Sequence, residues 1–361
     1  MAESLQNLKL RQKGVHNINQ ITKAMELVAA TKMRRSQEIA LASRPYAFAA
    51  LDLLSNLSRI THEELPPLLQ KREVVPDAHG VGAGRTTYVV VTSDKGLAGS
   101  FNNALLRDFE KYATRERIDF RDPHNTFVAI GQKAAQFLEK KTGLQCEKFT
   151  PLEKSRPAAA DVPRETQGRS LMGFVRVGDY VSVAQVAPIA HLLTSGFLEE
   201  KWDRVIVFST NFRSALRQDV LVREILPVTF EKLKKTAEEL IPETGRFAEL
   251  VKTHRIPLFT SPKPGEGGFT ESSKKIPEYL IEPAPREVLD ELAAHLVLME
   301  IYHLVLEANA SEHAARRMAM KSASDNASEL SAALSLEYNK SRQALITREI
   351  IEITAGADSL K

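Results

Sequence analysis

A Rossmann-like α/β domain inserted between two long terminal helices, wound antiparallel into a coiled coil, is the fold class this sequence predicts. Three observations carry it. From Arg286 to Lys361 there is no proline and one glycine, Gly356; a continuous helix there would exceed ~100 Å at 1.5 Å per residue. From Ala2 to Arg59 the only breakers are Gly14 and Pro45. Between the two, the apolar period changes from three-four to the β-branched runs of buried strands.

In the first helix, apolar or small residues recur at Ile18, Ile21, Met25, Val28, Ile39, Ala42, Tyr46, Ala49, Leu53 and Ile60. That spacing predicts a coiled-coil seam, broken where Lys32 and Arg35 fall on the same series. Pro45 removes one backbone donor and predicts a kink. Pro66, Pro67, Pro76, Gly80, Gly82 and Gly84 then end the helix and mark a linker.

The middle region reads as strands alternating with helices. Thr86–Ser93, Thr126–Ile130 and Arg204–Ser209 have strand character. Ser100–Arg117, Gln132–Lys141 and Val183–Lys201 suit helices. The alternation predicts a small domain around a mostly parallel sheet. Two segments rich in Pro, Gly, Lys and Glu, 150–178 and 231–276, read as loops or insertions. The divisions expected are 1–62 for the first helix, 63–282 for the α/β domain and 283–361 for the last helix.

The last helix opens at Pro283-Ala-Pro-Arg286, proline being suited to a first turn. Leu289, Leu292, Leu296, Met299, Leu306, Ala310, Met320, Ala327, Leu334, Tyr338 and Leu345 continue the three-four spacing. His303, His313, Arg317, Ser324 and Ser331 stand beside them, a seam that no membrane helix tolerates. A helix this long depends on packing for its stability, and the available partner is the first helix.

Composition narrows the function. Lys plus Arg number 49 against 46 Asp plus Glu, a net +3, too small to indicate nucleic-acid binding alone. Cys146 is the single cysteine, so no internal disulfide forms and a cysteine metal site is not expected. No uncharged apolar run reaches bilayer-spanning length. The N-terminus has polar and charged residues where a signal peptide would be apolar.

Motifs for catalysis are missing too. The turn Thr92-Ser-Asp-Lys-Gly-Leu-Ala-Gly-Ser-Phe-Asn102 sits between a strand and a helix, where phosphate loops occur. Its Lys95 precedes both Gly96 and Gly99, however, and a dinucleotide pattern would need glycine at Asn102. A structural turn is the expected reading. The nine histidines form no HExxH pattern, and Cys146 has no nucleophile context. Lys9, Arg11, Lys13, Lys23, Lys32, Arg34, Arg35 and Arg44 outnumber Glu3, Glu26 and Glu38, which suggests that the first helix meets an acidic partner surface.

Four segments resemble the gamma subunit of the F-type ATP synthase: Ile21–Arg34, Ser93–Asn102, Ser311–Lys321 and Tyr338–Ala357. The last is similar to the family signature Ile-Thr-x-Glu-x2-Glu-x3-Gly-Ala at every fixed place: Ile346, Thr347, Glu349, Glu352, Gly356 and Ala357. The segments 150–178 and 231–276 make the chain longer than typical bacterial members. The second lies where chloroplast members carry a thiol-regulated insertion. Without cysteines there, this chain is not expected to be controlled in that way.

The resemblance implies a non-catalytic rotor shaft with no cofactor and no metal. Its implied partners are the alpha and beta subunits of the catalytic hexamer, the epsilon subunit and the membrane c-ring. Thr22, Lys23 and Met25 would face the lever region of beta, with Lys32 and Arg35 nearby. Arg342, Gln343, Thr347 and Glu349 would contact loops higher in the hexamer. The implied location is peripheral, on the cytoplasmic face of the bacterial plasma membrane. From the residues alone, two alternatives stay open: a nucleotide-dependent α/β enzyme with helical extensions, and a coiled-coil tether that does not rotate.

Overall fold

The protein is described by a computed structural model covering residues 5–60, 66–70, 84–150, 171–178, 180–228, 282 and 284–358. Helix α1 (Leu5–Ile60) runs unbroken through Gly14 and Pro45. A short 3-10 turn (Pro67–Leu69) follows. Then come β1 (Thr86–Val91), α2 (Phe101–Arg115), β2 (Asn125–Ile130), α3 (Gln132–Thr142), β3 (Glu147–Phe149), β4 (Leu171–Phe174), α4 (Val183–Leu198), β5 (Arg204–Phe212) and β6 (Gln218–Leu226). Helix α5 (Pro285–Asp358) closes the chain with 74 residues.

The six strands form one mixed sheet in the order β3-β4-β2-β1-β5-β6. All neighbours are parallel except β6, which returns antiparallel beside β5. Three of these strands correct the sequence reading, β3 being the shortest, with three residues. β4 lies inside the stretch 150–178 taken for an insertion, and its four residues are too few to show a period. β6 alternates Val220, Val222 and Glu224 with Leu221 and Arg223, and its half-exposed edge position gave it no continuous apolar run. The segment 231–276 lies outside the described residues.

Side-chain alternation builds two cores from the same strands. Val89 and Val91, Val128 and Ile130, and Val205 and Val207 point to one face. Tyr88 and Val90, Phe127 and Ala129, and Ile206 and Phe208 point to the other. Helices α2 and α3 cover the second face, where the Phe109 ring meets Phe208 edge-on at 4.8 Å. Helix α4 and the first part of α5, Leu289 to Ala308, cover the first. From Ile301 to Ala308 every residue of α5 is buried, as expected of a helix with neighbours on all sides.

One contact fixes the end of α4. The Trp202 indole donates to Leu193 O at 3.0 Å and lies against Gly196. A Cβ on Gly196 would stand 2.1 Å from the ring, so no larger residue fits. Gly196→Ala should cost ~1–3 kcal/mol through overpacking. Urea unfolding followed by the emission of Trp202, the single tryptophan, checks this; an unchanged midpoint would contradict it.

Candidate functional site

The two terminal helices lie against each other. Ser324 Oγ donates to Asn19 Oδ1 at 2.6 Å. Further along, Ala40 joins the core lined by the 289–308 part of α5. Residue numbers therefore fall along α5 as they rise along α1. On α5 the buried residues here are Met320, Ala327 and Leu334, on the series expected from the sequence, and Ser324, expected beside it.

On α1 the expected face is off by one position. The buried residues are Leu8, Thr22, Ala29, Ser36 and Ala40, while Ile18, Ile21 and Val28 are 54%, 59% and 52% exposed. Small and hydroxyl side chains make this contact because interhelical distance depends on the side chains between the axes. The larger apolar residues are left facing outward, and Lys32 and Arg35 do not interrupt the true seam. A row of isoleucine and valine is thereby left exposed on α1.

The residues singled out from the sequence fall into two groups. Thr22 is buried, and its hydroxyl donates to Ile18 O and Asn19 O. Lys23 is exposed, Met25 and Lys32 are half-buried, and Arg35 is exposed beside Glu38 at 3.5 Å. The second group sits near the far end of α5, well separated along the rod. Arg342, Gln343, Thr347 and Glu349 are all exposed, and Thr347 Oγ1 donates to Gln343 O. Every described side chain from Arg342 to Ala355 is exposed. This end of α5 extends past the start of α1, so Leu345, Ile346, Ile350, Ile351 and Ile353 are uncovered.

The residues just after β1 also hold the start of α3. The first amides of α3 are taken up by the β1 end of the sheet: Gln132 N donates to Asp94 Oδ1, Lys133 N to Ser93 O and Ala134 N to Thr92 Oγ1. Gly131, with φ at 98°, permits this approach, since a Cβ there would meet Thr92 O at 2.2 Å. A cavity of about 310 Å³ lies beside it, with Asp94, Lys95, Arg176 and Glu312 among its lining residues. The first amides of α3 are thus engaged by the chain itself, and α2, the helix that the glycine turn opens, starts with Phe101 N donating to Ala98 O at 3.2 Å. Among the described residues, no His, Cys, Asp and Glu are grouped to hold a metal ion.

Comparison with known proteins decides the family. The family profile described as ATP synthase matches residues 4–360. The ATP synthase gamma chain of Geotalea daltonii is 32% identical over 358 residues, covering 99% of both chains. That of Opitutus terrae is 34% identical over 353 residues, covering 98% of this chain and 97% of the relative. This chain belongs to the ATP synthase gamma-chain family.

The family's role is that of the central-stalk rotor, a subunit without the catalytic sites. Two solved structures share the fold of this gamma-family chain. A chain of the Euglena gracilis mitochondrial ATP synthase in its OSCP/F1/c-ring assembly has a TM-score of 0.56 at 17% identity, over 99% of this chain and 94% of that one. A chain from the rotor of the same synthase has a TM-score of 0.52 at 17% identity, over 95% and 98%. Coverage of 99% on both sides with the Geotalea chain also means that a gamma chain of this length is not peculiar to this protein. Among the described residues, no helix is long and apolar enough to cross a membrane.

Two measurements test this geometry. Ala29→Leu should separate the helices at a cost of ~1–3 kcal/mol, whereas the neighbouring Val28→Leu should stay within about 0.5 kcal/mol; thermal unfolding of the purified chain distinguishes them. Burial, with the Glu139 carboxylate nearby, pushes the Cys146 thiol up from 9.0 to about 11. Below the unfolded value the thiol is protonated in both states and its contribution is complete. Between the two values only the unfolded chain loses the proton, so stability falls as pH rises through that window. Alkylation of the native chain should therefore lag behind that of the unfolded chain until about pH 11; equal rates at pH 9 would contradict the burial.

Proposed function

We propose that α1 and α5 form an antiparallel coiled coil that turns inside a hexamer of alpha and beta subunits, with the Rossmann-like domain below it. The organisation proposed is 1–62 and 283–361 for the shaft and 63–282 for the domain. The domain would bind the epsilon subunit and the membrane c-ring. The observation that carries this reading is the uncovered far end of α5, where a helix without its partner presents isoleucines beside Arg342, Gln343 and Glu349. Such a surface needs a sleeve around it.

The energetics fit a shaft. Each unit charge crossing 100 mV releases ~2.3 kcal/mol, and this work must reach nucleotide sites far from the bilayer. A rod of two packed helices carries it, and its unequal sides bias each beta subunit differently as it turns. Lys23, Met25, Lys32 and Arg35 would face the lever region of beta. Thr22 would act from inside, fixing the helix that presents them. Arg342, Gln343, Thr347 and Glu349 would reach the hexamer loops above. The location proposed is peripheral, at the cytoplasmic face of a bacterial plasma membrane, in keeping with the Geotalea and Opitutus relatives.

Replacing both Arg342 and Gln343 by alanine should leave the complex assembled and lower ATP-driven ion pumping per ATP hydrolysed by about tenfold, the effect of losing ~1.4 kcal/mol of contact. Acidification of inverted membrane vesicles, read against phosphate release, measures the ratio. A non-rotating tether would leave that ratio unchanged.

A further inference from the structure

Where α5 leaves the sheet, a loop after β4, the last residues of β5 and the turn after β1 hold it in succession. Asn309 Nδ2 donates to Gly178 O at 3.2 Å. Two residues on, Ser311 Oγ donates to Thr210 O at 3.4 Å. Arg316 Nη2 then donates to Gly96 O, at 3.2 Å, across to the turn between β1 and α2.

The third contact alone is built around a charge. Arg316 pairs with Glu312 at 2.6 Å, and the two side chains are only 11% and 14% exposed. Its Nη1 also lies 3.4 Å from His313 Nδ1. A guanidinium so largely withdrawn from water is held in one geometry by its partners, and bonds to a charged donor are the stronger kind. The backbone it grips rests directly on α5: a Cβ on Gly99 would lie 3.6 Å from Ala319 Cβ and 3.8 Å from Ala315 O. Leu97 and Gly99 adopt φ of 63° and 58°, so this turn is folded back tightly enough to reach the helix.

We propose that Arg316 is a positioning residue for rotary coupling: with Glu312 it clamps the 94–99 turn to α5 and braces the shaft where it emerges from the domain. The proposal rests on the rotor reading. Twist under a given torque grows with the unbraced length of a rod. With the clamp closed, the unbraced part from Ala319 to Arg342 is ~35 Å at 1.5 Å per residue. With it open, support ends near Glu312 and the unbraced part grows to ~45 Å. The shaft then becomes about 1.3-fold softer in torsion, on the same helix rise.

The test uses the purified holoenzyme with its hexamer fixed to a surface and a bead on the α/β domain. Arg316→Ala should raise the angular variance of the stalled bead about 1.3-fold, as the helix rise requires. It should also reduce hydrogen-exchange protection of the Ser93 and Phe101 amides, which close the turn on Asn102 Oδ1 and Ala98 O, about tenfold, the loss of one charge-assisted bond. Arg316→Lys, which keeps the ion pair, should recover part of both. Should Arg316→Ala fail to assemble, Glu312→Ala gives the same two readouts. Unchanged bead variance, or unchanged exchange in the turn, overturns the clamp. A wild-type enzyme that hydrolyses ATP without turning the bead instead overturns the rotor reading, and the exchange measurement still reports on the clamp.

Discussion

Two helices behave as one rod only while the side chains between them let their axes approach and stay in register. In this chain that condition is met by residues of little bulk. Ala29, Ser36 and Ala40 on α1 are all buried, and the Asn19–Ser324 hydrogen bond fixes the lengthwise position of one helix on the other. Everything outward depends on it. The exposed row of Ile18, Ile21 and Val28 points away from α5 because the smaller residues point toward it.

The same helix ties the rod to the domain. From Leu289 to Ala308, α5 is part of the core over one face of the sheet, and beyond that it becomes half of the shaft. A joint made of a flexible linker would absorb rotation. A helix that begins inside a core cannot turn relative to it without breaking that packing. The buried charges in this stretch follow suit: Glu300, almost fully enclosed, lies 4.0 Å from Arg223 of β6, linking the helix to the antiparallel edge strand.

Much of this was legible in the sequence. Both long helices, the central strands and the helices α2, α3 and α4 follow from breakers and period, because those elements are long or fully buried. The short strands β3 and β4 were not legible, since three or four residues carry no period of their own. The seam of α1 was misread for a more instructive reason. Periodicity finds an apolar stripe, but it does not say whether the stripe meets the same chain or another one. Here the stripe of greatest bulk faces outward, and the stripe of Ala, Ser and Thr beside it faces in. Burial of Thr22, with its hydroxyl turned back to its own helix, follows from that one-position shift. The Arg316 contact spans 220 positions, and no spacing rule links residues so far apart.

The overhang of α5 also bears on biosynthesis. Ile346, Ile350, Ile351 and Ile353 are bare in the isolated polypeptide, and greasy surface left in water invites clumping. A newly made copy is therefore safest when its future neighbours are already present to receive it. Surplus copies would be costly for the cell, so matched production of the subunits is a demand written into the last few turns of this helix.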